Sequence, residues 1–212
     1  MEEDNIIIIC RHGERIDCTS ERNNQRTKKG DPELTKNGIN LSKFLGQRIY
    51  VEFKQFIEKN RIKLFVSPFT RTLETAISIR NEMQKYLSKT SQELYIVKNL
   101  GEVNFYSIDL YPNILYYNKD DNQQLYQDLI ISKMNEGKID YNIIDMNNGN
   151  VKYKETRSEA DERYEKELKK ILEELKGKTS YLYIIVQHGE GVASCCRYLC
   201  NIIKQIVHMI EL

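Results

Sequence analysis

An imidazole flanked by guanidinium groups stands near the start of the chain, in Arg11-His12-Gly13-Glu14-Arg15. A ring nitrogen can act as a nucleophile, and arginines match a phosphate dianion with paired N–H bonds that a lysine's point charge cannot supply. Two later segments repeat that chemistry: Ser67-Pro68-Phe69-Thr70-Arg71-Thr72 adds a guanidinium, and Gln187-His188-Gly189 adds a second imidazole. Together they read as a phosphate site built around a nucleophilic histidine. His12 would attack phosphorus through one ring nitrogen while the other donates to a backbone carbonyl, and the neighbouring cations would keep the ring neutral. His188 would donate to a non-bridging oxygen as the phosphoryl group passes in line. Arg11, Arg15 and Arg71 would bind the phosphate. Such a site requires no metal and no other cofactor.

The elements that position these residues follow from hydrophobic patterning. Ile6 to Cys10 is a short apolar run, consistent with a buried parallel strand, and it ends on Arg11. A polar loop from Arg11 to Glu33 follows, carrying Arg22, Arg26, Lys28 and Lys29. Thr35 then precedes a periodic apolar set through Ile39, Leu45, Ile49, Phe53 and Ile57, which predicts a capped helix running to about Lys59. Ile62 to Val66 reads as a second strand, Ser67-Pro68 as punctuation, and about Phe69 to Leu87 as a helix with proline near its first turn. Leu94 to Val97 and Tyr181 to Val186 complete the strands, each leading to a candidate site segment. Glu155 to Lys176 has a helical apolar stripe, and a last helix spans about Gly191 to Val207, with His208 as a structural residue. This alternation predicts an α/β fold, three-layer α/β/α, with a mostly parallel central sheet. Residues 103–154 are polar and tyrosine-rich, with one helix from about Asp121 to Met134, and read as an inserted cap over the site.

Composition sets the outer bounds. At 25.1 kDa, residues 1–212 fit a single domain, large enough to bury roughly 70% of the surface that the unfolded chain exposes. Lys+Arg 32 against Asp+Glu 31 leaves a net charge of +1, so no global field points to nucleic acid or to an acidic membrane. The acidic start Met1-Glu2-Glu3-Asp4 lacks the features of a signal peptide, and no run reaches the ~20 apolar residues of a membrane span. A cytoplasmic location is the expectation. The cysteines Cys10, Cys18, Cys195, Cys196 and Cys200 lack metal-ligand spacing and read as reduced, mostly buried thiols. The expected partner is a phosphomonoester substrate, with no nucleic acid and no membrane; a homodimer or larger assembly stays open.

The three motifs, in this order and each at a strand end, resemble the histidine phosphatase superfamily, whose fold is phosphoglycerate-mutase-like (branch 1). Arg11-His12-Gly13 resembles its nucleophile motif, Ser67 to Ala76 its arginine motif, and Gln187-His188-Gly189 its second histidine motif. The resemblance implies phosphomonoester hydrolysis through a phosphohistidine on His12. It also implies a mid-chain carboxyl group that protonates the leaving oxygen, for which Glu102 in Asn99-Leu100-Gly101-Glu102-Val103 is the candidate, with Glu14 and Glu190 as competitors. A neighbouring phosphate dianion would favour the protonated carboxyl that a general acid needs.

Within the superfamily, Arg-His-Gly-Glu-Arg-Ile-Asp followed by Asp31-Pro32-Glu33-Leu34-Thr35 and Gly38 is most similar to the phosphatase domain of the ubiquitin-associated and SH3-domain-containing proteins, the suppressors of T-cell-receptor signalling. That similarity implies phosphotyrosine or small phosphate esters as substrates. Three departures limit it: there is no room for the accessory modules, the cap matches poorly, and the chain stops at Leu212, where relatives continue into another strand or tail. A non-catalytic protein that uses the fold as a structural or interaction subunit of a larger assembly is the alternative.

Overall fold

The computed structural model describes residues 5–19, 31–59, 61–87, 93–103, 155–178 and 180–210, with side chains omitted at 93 and 203–210. Among them, four parallel strands form one sheet: β1 (Ile6–Arg11), β2 (Ile62–Val66), β3 (Glu93–Ile96) and β4 (Leu182–Gln187), in the order β1-β4-β2-β3. Register is continuous across it, with Cys10 opposite Val186, and Val66 opposite both Val186 and Ile96. All four carboxyl ends therefore align along one edge of the sheet. β4 is buried at every position, as a central strand covered on both faces requires.

Side chains alternate between the two faces. Leu64, Val66, Leu182, Ile184 and Val186 face a core built by α1 (Lys36–Glu52), α2 (Lys54–Glu58) and α3 (Thr70–Gln84), through Ile49, Phe56, Ile57, Ala76, Ile79 and Met83. Phe65, Tyr95, Tyr183 and Ile185 face the other core, which α4 (Arg157–Glu174) and α5 (Gly189–Ile210) close with Leu168, Ile171 and Cys195. The result is the three-layer α/β/α arrangement with a parallel sheet.

Helix ends follow local chemistry. The Thr35 side chain accepts from the Gly38 N–H, as the sequence predicts for an N-cap. Thr156 and Glu159 form a reciprocal capping box at α4. The single helix expected from Thr35 to Lys59 is instead two, because Phe53 leaves the helical region (φ −118°, ψ 29°). The bend seats Phe56 and Ile57 in the core beside Ile49. Pro68 lies immediately before the Phe69 cap, next to the first turn of α3. α5 begins at Gly189, two residues earlier than expected.

The cysteines also correct the sequence reading, since Cys18, Cys196 and Cys200 are exposed and only Cys195 is fully buried. On α5, Cys195 and Leu199 turn toward the sheet, which leaves Cys196 and Cys200 on the outer side. No described helix is long and apolar enough to cross a membrane. The cap expected over 103–154, apart from Val103, and the basic residues 22–29 lie outside the described residues, as does the His208 side chain.

Candidate active site

Each strand leads to one part of the site at its carboxyl end: His12 directly after β1, Ser67 directly after β2, His188 directly after β4, and Glu102 beyond the 3-10 turn Lys98–Leu100 that follows β3. Parallel register makes four segments far apart in sequence converge there. The His12 N–H bonds the Gln187 carbonyl and the Ser67 N–H bonds the Val186 carbonyl, so the first residues past the strands remain tied to the sheet.

His12 is 7% exposed. Its Nδ1 lies 2.8 Å from the Gly13 carbonyl oxygen, which can only accept, so Nδ1 carries the proton and Nε2 keeps its lone pair. Burial, opposed by the Gly13 bond and aided by the Arg71, Arg11 and Arg15 charges, lowers the ring's pKa to about 4. Sequence reasoning assigned the neutral ring to the cations; burial is the larger cause. The Gly13 N–H bonds the Thr75 hydroxyl on α3. A Cβ on Gly13 would lie 2.8 Å from the Gly38 carbonyl oxygen, so this loop and the start of α1 pack backbone to backbone.

His188 is fully buried, its ring 5.4 Å from that of His12. Arg71 Nη2 stands 3.3 Å from its Nδ1 and can only donate, so the proton sits on Nε2 and is donated to the Ser67 hydroxyl at 2.8 Å. Burial, then Arg71 and His12, hold its pKa well below the ordinary value. The nitrogen that faces Arg71 therefore accepts here, whereas the sequence expectation had His188 donating to phosphate.

Arg71 is the central cation. It is wholly buried, stacked at 4.4 Å over Phe69, bonded through Nη2 to Glu102, and 3.5 Å from the Asp31 carboxylate. Its Nε and Nη1 have no hydrogen-bond acceptor among the described residues. Buried guanidinium donors without acceptors suit an anion. Asp31 also accepts from the Thr70 N–H and hydroxyl, fixing the start of α3.

The remaining predicted residues take distinct places. Arg15 forms a forked pair with Asp17, Nε to Oδ1 at 2.8 Å, which raises the arginine and lowers the acid. Arg11 is exposed and passes 3.5 Å from where a Cβ on Gly189 would stand. Glu102 reaches Arg71, and its other oxygen lies 3.9 Å from His188 Nδ1. The competing acids are engaged elsewhere: Glu14 accepts from the Thr35 hydroxyl at 2.6 Å, and Glu190 pairs with Arg157. Sequence reasoning missed Ser67, Asp31 and Asp17 as partners of His188, Arg71 and Arg15. Asp17 and Asp31 stood inside motifs used for the resemblance, but nothing in a linear sequence shows which cation each would meet.

The model of the histidine phosphatase superfamily (branch 1) matches residues 7–112, half of the chain. The chain belongs to this superfamily. Solved structures share the fold of this histidine phosphatase superfamily member. A phosphoserine phosphatase from Entamoeba histolytica in complex with 3-phosphoglyceric acid is 18% identical, with a TM-score of 0.51 over 93% of this chain and 80% of that one. The ecdysone phosphate phosphatase from Bombix mori in complex with tungstate is 16% identical, with a TM-score of 0.57 over 89% and 76%. A phosphoglycerate mutase from Bacillus anthracis str. Sterne is 18% identical, with a TM-score of 0.52 over 92% and 79%. At these identities the likeness concerns the fold. No curated protein sequence matches the chain.

Proposed function

We propose that the chain hydrolyses phosphomonoesters through a phosphohistidine on His12. The observation that carries this is the His12 ring: buried, neutral, its Nδ1 proton committed to Gly13 and its Nε2 left with a lone pair, in the field of the buried Arg71, whose Nε and Nη1 have no hydrogen-bond acceptor among the described residues. Arg71, with Arg11 and Arg15, holds the phosphoryl oxygens. His12 Nε2 forms a bond to phosphorus as the ester P–O bond breaks, and the departing oxygen takes the bond's electron pair and a proton from Glu102. A water molecule then gives a proton back to Glu102 while its oxygen attacks phosphorus, releasing His12 and inorganic phosphate. A bound phosphate dianion favours the imidazolium form of His188, in which Nδ1, protonated from solvent, donates to a phosphoryl oxygen while the Nε2–H keeps its bond to the Ser67 hydroxyl.

The finer reading is a phosphatase for phosphotyrosine or small phosphate esters, related to the suppressors of T-cell-receptor signalling. The Glu14-Arg15-Ile16-Asp17 continuation supports it, since Asp17 holds Arg15 in a fixed fork at the site. The Entamoeba histolytica phosphoserine phosphatase and the Bombix mori ecdysone phosphate phosphatase are compatible with the broader reading. Steady-state assays with para-nitrophenyl phosphate test the function. Wild type turns over, while His12→Ala loses at least about a thousandfold in kcat, in line with removal of a covalent nucleophile. Undiminished turnover by His12→Ala would refute the proposal.

A further inference from the structure

The least anchored member of the site by sequence is Glu102, which follows a single 3-10 turn, Lys98–Leu100, and belongs to neither a strand nor a helix. Its placement comes from α4, some sixty residues later. Arg163 Nη1 donates to the carbonyl oxygens of both Asn99 and Gly101, the latter at 3.1 Å, and the Tyr164 hydroxyl donates to the same Gly101 oxygen at 2.7 Å. One turn further along α4, Glu167 accepts from the Asn99 side chain at 2.8 Å. Val103 packs against Ala160 and Tyr164. Asn99, Gly101 and Val103 are thus gripped by α4.

Arg163 is itself fixed. Glu155 receives its Nε and Nη2 in a forked pair, both at 2.7 Å, and the guanidinium lies over the Tyr164 ring at 4.5 Å. Glu155 is 3% exposed and packs ahead of α4, so the clasp is a buried ion pair that joins residues 99–101 to the chain entering α4. The Gly101 carbonyl and the Glu102 N–H share one rigid peptide plane. Two donors on that carbonyl therefore set the direction in which the Glu102 side chain leaves the backbone, toward Arg71 and His188.

We propose that Arg163, seated by Glu155 and assisted by Tyr164, is a positioning residue for Glu102: it aims the carboxyl group that protonates the leaving oxygen. This rests on the phosphomonoesterase reading above. Its signature is selective. Para-nitrophenolate departs readily without a proton, whereas an alkoxide does not, so loss of acid positioning weighs on poor leaving groups, where general acid catalysis contributes roughly 10²–10⁴-fold.

The test compares kcat for para-nitrophenyl phosphate and for a simple alkyl phosphate in wild type, Glu102→Gln, Arg163→Lys and Tyr164→Phe, with circular dichroism to establish folding. Arg163→Lys keeps the charge and loses the fork. It is expected to lower alkyl phosphate turnover by about 10- to 100-fold and para-nitrophenyl phosphate turnover by less than about threefold. Adding it to Glu102→Gln should bring no further selective loss, because the two act as one unit. Tyr164→Phe, which removes a single hydroxyl, should show the same selectivity at smaller size and serves if Arg163→Lys fails to fold. Equal losses on both substrates in a folded variant, or no loss, would overturn the proposal while Glu102→Gln still shows its selective defect. A folded wild type without turnover on either ester would overturn the underlying reading and this inference with it.

Discussion

The two histidines of the site are neutral in opposite tautomers, and each tautomer is dictated by one neighbour that can play only one hydrogen-bonding part. Gly13 O can only accept, so His12 holds its proton on Nδ1; Arg71 can only donate, so His188 holds its proton on Nε2. The chain has three histidines, which makes nitrogen NMR of the imidazoles decisive. His12 should show the Nδ1–H pattern and His188 the Nε2–H pattern, with His12 titrating near pH 4 rather than near 6.5. The sign for stability follows. An unfolded chain binds a proton at His12 below about pH 6.5, whereas the folded site refuses it until about pH 4, so stability is full above 6.5 and falls as pH drops through that window. Urea unfolding at pH 7 and pH 4.5 should show wild type losing about 2 kcal/mol more than His12→Ala on acidification. Equal losses would mean that the His12 site takes its proton as readily as water-exposed histidine does. The gathering of both rings, Arg71 and Glu102 in one place was legible in the sequence, the first three through short motifs at strand ends and Glu102 through the family resemblance. The partnerships of Asp31 with Thr70 and of Ser67 with His188 were not, because a partner across 39 or 121 residues is fixed by tertiary packing rather than by spacing, and that of Asp17, close to Arg15 in sequence, was not because proximity along the chain does not show that two side chains meet.

At the scale of elements, the site depends on how closely α1 approaches its neighbours. A Cβ on Gly46 would lie 2.5 Å from the Ile79 carbonyl oxygen on α3, and one on Gly38 would lie 2.5 Å from the Glu14 carbonyl oxygen. Both obstacles are backbone, so neither can rotate away. α3 carries Arg71 and Thr75, and the Thr75 hydroxyl holds the Gly13 N–H, so α1 packing bears directly on the loop that carries His12. Gly46→Ala should therefore destabilise by about 1–3 kcal/mol through overpacking, outweighing the helix-propensity gain of up to about 1 kcal/mol. A lower urea midpoint checks this; a raised midpoint would show that the helices can separate freely. Sequence periodicity located α1 but gave no sign of these close backbone approaches. The same periodicity ran through Phe53 without sign of the bend, since Phe53, Phe56 and Ile57 fit one apolar stripe whether the helix is continuous or broken.

For the whole molecule, a parallel sheet in the order β1-β4-β2-β3 turns four distant segments into one site, and helices on both faces bury β4 completely. Alternating apolar runs and helical stripes foretold this architecture; strand order was beyond them, because it depends on which faces pack. A net charge of +1 leaves anion attraction to the local cluster of arginines. A phosphate mimic that binds only the folded chain should stabilise it by mass action, about 2.7 kcal/mol at a hundred times Kd. Vanadate should accordingly raise the melting temperature of wild type, and Arg71→Ala should abolish that rise; an unchanged rise would place the anion elsewhere. The central claim is that His12 Nε2 carries the phosphoryl group, and trapping it is the most direct measurement. Rapid quench of wild type with para-nitrophenyl phosphate should give a burst of para-nitrophenolate and an acid-labile, base-stable phosphate on the peptide containing His12, both absent in His12→Ala. Steady turnover with no such adduct, or an adduct on another residue, would contradict the account.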